Sequence, residues 1–134
     1  MRTAAALILF GLALASPSAA QQTQPARPVI LSPTEGATVA NPVTVTVKPA
    51  DPGSPAMAGM GPGAHLHLIV DSPLPTAGSM VPMDARHIHL LQNRTTTTLS
   101  LPPGRHTLQL IEGTMGHTIE PDAPHSDLIT FDVK

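Results

Sequence analysis

The chain has 134 residues, a formal charge of −2 and only 12% charged residues, so it lacks the basic surface that nucleic acid or anionic lipid requires. With no tryptophan, no tyrosine and two phenylalanines, it also lacks the aromatic platforms on which bases and sugar rings stack. Cysteine is absent, which excludes a thiolate metal ligand, a thiol nucleophile and a lipid-anchored junction.

In chain order, Arg2 precedes an apolar run over 4–15 that is too short to span a bilayer and matches a signal-peptide core. Ser18, Ala19 and Ala20 supply small residues for cleavage before Gln21. The expected organisation is a signal peptide over 1–20, a disordered lead over 21–27 and one domain over 28–134. No later segment is apolar enough for membrane insertion, so the mature chain is expected to be soluble and periplasmic or secreted.

Beyond Pro28 the hydrophobic period is two. Strands are predicted over 29–31, 43–47, 65–71, 86–90, 95–101, 105–111 and 128–133. The Pro/Gly/Ala/Ser-rich stretch 49–63 reads as a loop, and no amphipathic helix of useful length is visible. Seven short strands divided by turn signals predict an all-β, immunoglobulin-like sandwich. Its core is expected to contain Val45, Val47, Leu66, Leu68, Ile88, Leu99, Leu108, Leu110, Ile129 and Phe131.

Two blocks within this pattern carry metal-ligand chemistry: Met57, Met60, His65, His67, and then Met80, Met83, His87, His89. Met115-Gly116-His117 repeats the pairing a third time, and all five methionines after the leader fall outside predicted strands. If Leu66, Leu68 and Val70 face the core, His65 and His67 face outward together, and His87 and His89 do likewise beside Ile88 and Leu90. Imidazoles at i and i+2 have Cα atoms roughly 6.5–7 Å apart, close enough to converge on one ion. A single exposed His-x-His pair is ordinarily polar surface, and loop methionines are ordinarily flexible filler, so the weight lies in the repetition. His106 shares parity with Leu108 and Leu110 and reads as a partly buried structural residue, while His125 reads as loop surface. The best ligands are therefore His65, His67, His87 and His89, with Met60, Met83, Met115 and His117 as auxiliaries. Thioether with imidazole and no thiolate favours copper, with zinc second, and excludes a blue-copper centre.

The run from His65 through Asp71, the pair His87 and His89, the stretch Leu101-Pro102-Pro103-Gly104-Arg105-His106-Thr107-Leu108-Gln109-Leu110 and Gly116-His117 together resemble the bacterial domain-of-unknown-function family 4399. The resemblance covers about residues 43–133 and implies a small exported, immunoglobulin-like domain of unassigned activity. The family tends to have three consecutive histidines where this chain has His65-Leu66-His67. It also has His-rich elements where this chain has Ile119-Glu120.

The first expectation for function is a periplasmic metal-binding protein, most of all a copper chaperone, buffer or resistance component. The second is a non-catalytic module that meets an envelope protein without metal. An enzyme is third, because no serine sits beside a base in a recognisable motif. Only a zinc-dependent hydrolase with three histidines and Asp84 or Glu120 as base stays open.

Overall fold

The computed structural model describes residues 25–134, so the expected signal peptide lies outside the described residues. Its elements in chain order are β1 (Val29–Ser32), β2 (Thr38–Val39), β3 (Val43–Lys48), a 3-10 turn (Pro55–Met57), β4 (His65–Val70), β5 (His87–Leu90), β6 (Thr96–Leu99), β7 (Gly104–Gly113) and β8 (Ile129–Val133). All seven predicted strands are present. The eighth, β2, is a two-residue segment that pairs parallel with β8.

The strands form two sheets, ordered β1-β3-β6 and β2-β8-β7-β4-β5, and the chain is an all-β sandwich. Alternation explains the layering. In β3, Val43, Val45 and Val47 point inward while Thr44 and Thr46 point out. From the other sheet, Leu66, Leu68, Leu90, Leu108, Leu110 and Phe131 meet them to form one hydrophobic core. Ile88 and Ile129, expected inside, are half-buried and pack on its edge.

The outer face of the five-stranded sheet departs from expectation. Residues of opposite parity on β4 and β7, Ile69 and Ile111, are buried against Met60, Val81, Ile119 and Ala123 from the long loops. These loops lie over the sheet as an incomplete third layer. Strand β4, flanked by β5 and β7, is consequently buried on both faces from Leu66 to Val70. His67 is fully buried, contrary to the outward, solvent-facing position expected of it, because facing away from the main core here means facing a second one.

Candidate metal centre

Register brings the histidines together. β4 and β5 are antiparallel, with His67 opposite His89, while β7 runs on the other side of β4 with Gly113 opposite His65. His65, His67 and His89 thus share the outer face of adjoining strands. The fourth member arrives from a loop. After β7 the chain turns at Thr114–His117, closed by the His117 N–H donating to the Thr114 carbonyl at 2.8 Å, and runs antiparallel to the segment around Met80. Within this turn His117 adopts φ 62°, a left-handed conformation that costs a non-glycine residue about 1–2 kcal/mol. The turn could have used glycine at that position; it carries an imidazole, aimed at the sheet.

The four rings touch in every combination, with centroid separations from 4.5 to 6.2 Å. One nitrogen from each of His65, His67, His89 and His117 lies within 4.8 Å of all the others. Nearby carbonyls set the tautomers. Nδ1 of His65 lies 3.0 Å from the Gly63 carbonyl oxygen, which can only accept, so Nδ1 donates and Nε2 keeps a lone pair. Nε2 of His89 donates to the Pro82 carbonyl at 3.3 Å by the same logic, freeing Nδ1. Nδ1 of His117 then sits 3.2 Å from Nε2 of His65 and 3.4 Å from Nε2 of His67. Four nitrogens bound tetrahedrally at about 2.0–2.1 Å would be roughly 3.3–3.4 Å apart, so these two spacings already match a bound ion.

Electrostatics favour the ligand form. Burial, then repulsion from His65, His89 and His117, lowers the pKa of His67 to about 3, with a backbone group of Ile111 pulling the other way. Burial and the neighbouring His89 and His65 lower that of His117 as well. Nδ1 of His67 is the one buried side-chain nitrogen or oxygen among the described residues without a hydrogen-bond partner. Four converging imidazoles, two of which resist protonation, form a donor set that suits a central cation.

A family model for a domain of unknown function, DUF4399, matches residues 44–134. The chain belongs to that family. No curated protein and no solved structure matches it. All four clustered histidines lie inside the stretch that matches DUF4399.

The remaining sequence candidates are distributed unevenly around the DUF4399 domain. His87 is not brought into the cluster. It sits opposite Ile69, two residues along β5, and its Nδ1 meets Asp84 Oδ1 at 2.7 Å. Met60 is buried in the loop-covered second core. Met83 and Met115 are exposed, as is Met80. Each of these three adjoins a part of the histidine site: Met83 follows Pro82, the acceptor for His89; Met115 packs against Gly63, the acceptor for His65; Met80 pairs with Thr118, next to His117. His106 is more fully buried than the partly buried structural position expected of it, and His125 is exposed. Sequence reasoning ranked His117 below His87; the third Met-x-His pairing was the signal that marked it.

Proposed function

We propose that this chain is a metal-binding protein of the bacterial periplasm that holds one copper ion with His65, His67, His89 and His117. The observation that carries the reading is the approach of His117 Nδ1 to His65 Nε2 at 3.2 Å and to His67 Nε2 at 3.4 Å, with the Gly63 carbonyl fixing the His65 tautomer. Neutral imidazole accepts Cu(II), Zn(II) and Ni(II), and softer thioether selects Cu(I). Three exposed methionines beside the residues that fix the ligands therefore favour copper over zinc. They also mark the face at which an envelope protein would hand the ion over, in the manner of a chaperone, buffer or resistance component. Binding, not catalysis, is the better account of four protein ligands: a hydrolytic zinc site keeps three and leaves the fourth position to water.

Titration of tag-free protein with Cu(II), with Cu(I) under reducing conditions and with Zn(II) tests this. One ion per chain is expected, and His67→Ala combined with His89→Ala should weaken binding at least about tenfold, since each removes a ligand. Unchanged copper binding by the double variant would overturn the reading.

A further inference from the structure

The inner side of the same sheet holds a charged group that the histidine site does not use. Leu108, Leu110 and Glu112 alternate along β7, so the parity that buries the leucines also turns Glu112 into the space between the sheets, where it is 2% exposed. Only a backbone contact from Ala50 favours its ionised form, and no salt bridge reaches it among the described residues. The carboxyl borders a cavity of about 780 Å³, within the size range of small-molecule sites, with apolar walls that include Val47, Leu66 and Leu90. Lys48 and Arg94 also line it. The three charges lie at three depths, with Glu112 buried, Lys48 half-buried and Arg94 exposed. A buried carboxyl with no cation beside it is costly, and the fold's own cations stand nearer to solvent.

We propose that this cavity binds a small zwitterion with an apolar spacer, its ammonium group meeting Glu112 and its carboxylate meeting Lys48 and Arg94 on the solvent side. Charge complementarity at both ends and an apolar middle select this class over a plain fatty acid, which leaves Glu112 unmatched, and over a plain alkylamine, which leaves the two cations unmatched. His65 lines the cavity too, so the two sites adjoin; occupancy of this one requires no metal.

The probes are ω-amino acids of four to eight carbons, with hexanoate and hexylamine as single-charge controls, titrated calorimetrically into the full chain in excess chelator. One spacer length is expected to bind best and to exceed both controls by about tenfold or more, the worth of a charged hydrogen bond. Amide NMR shifts should fall on Val47, Leu66, Leu90 and Thr95. Glu112→Gln should abolish the advantage over hexanoate. Hexanoate equal to the amino acids would reveal an anion site, and hexylamine equal to them an amine site; either result, or no binding by the parent protein, overturns the inference. The comparison among probes uses the parent protein alone, so it decides the matter even if the variant fails to fold.

Discussion

His67 and His89 are direct partners across the β4–β5 pair, with ring centroids 4.5 Å apart, and the space that His67 occupies exists because residue 113 on the next strand is glycine. A Cβ at position 113 would lie 2.5 Å from Cε1 and 2.9 Å from Nδ1 of the His67 ring. The ring has no exposed side to move toward. Gly113→Ala should therefore displace His67, lowering copper affinity at least about tenfold and stability by about 1–3 kcal/mol, the usual cost of overpacking. Copper titration and denaturant unfolding of this variant check both; normal affinity would mean that His67 is not a ligand.

His87 and His117 separate the observed cluster from the one that strand parity alone would build. Alanine at His117 removes a ring within 3.2–3.4 Å of two others, whereas alanine at His87 removes one bonded to Asp84. Copper affinity should fall at least about tenfold in the first variant and stay within about twofold of the parent in the second. The reverse order, measured by competition with a chromogenic chelator, would reassign the site to the two strand pairs.

The reasons for this difference show what was legible in the sequence. Strands with Val-Thr or His-Leu alternation imprint a period of two, so β3, β4, β5 and β7 are readable, while the two residues of β2 are too few to show any period. The loop layer is hidden for a related reason: Met60, Val81, Ile119 and Ala123 are scattered through irregular segments, and nothing local reveals that they converge on Ile69 and Ile111. The burial of His67 follows from that convergence. Parity did assign His87 to the correct face, but Asp84 three residues earlier was its nearer partner. Glu112 was readable in principle, since the alternation of Leu108 and Leu110 extends to it.

His106 provides a structural control. Its Nδ1 donates to Asp71 Oδ2 at 2.7 Å, its Nε2 faces the Pro102 carbonyl at 2.8 Å, and Asp71 Oδ1 accepts the Thr107 N–H at 2.8 Å. Burial opposes its charge, but Asp71 and Pro102 outweigh burial and raise its pKa. A raised folded-state value means that this stabilisation is full below the unfolded pKa of about 6.5 and is lost as pH rises through the folded one. His106→Ala should cost about 2–4 kcal/mol at pH 6 and less at pH 9, with copper affinity preserved. Denaturant melts at the two pH values test the sign.

Glu112 predicts a stability change of its own. Burial raises its pKa from 4.5 to about 7, against a smaller opposing effect from the Ala50 backbone; Lys48, Arg94 and His65 are the other titratable groups on the cavity wall. The folded state holds this proton more tightly than the unfolded one, so stability is full below pH 4.5 and falls as pH rises through 7. Glu112→Gln, neutral at every pH, should be more stable than the parent by about 1–3 kcal/mol at pH 8 and nearly equal to it at pH 4. A constant difference across that range would show that the carboxyl does not titrate abnormally.

The exposed methionines give the last prediction, which distinguishes copper from zinc. Met83 is 84% exposed and Met115 is 71% exposed, although thioethers ordinarily gain by burial. Replacing both with leucine preserves volume and hydrophobicity and removes only the sulfur, so folding should be unaffected. Imidazole alone serves Cu(II) and Zn(II), and their affinities should remain within about twofold of the parent. Cu(I) uses thioether, and its affinity, or its rate of transfer to a soluble Cu(I) chelator, should change at least about fivefold. If Cu(I) behaves identically in parent and variant while Zn(II) binds tightly to both, the methionines are only surface side chains and the four histidines form a zinc site.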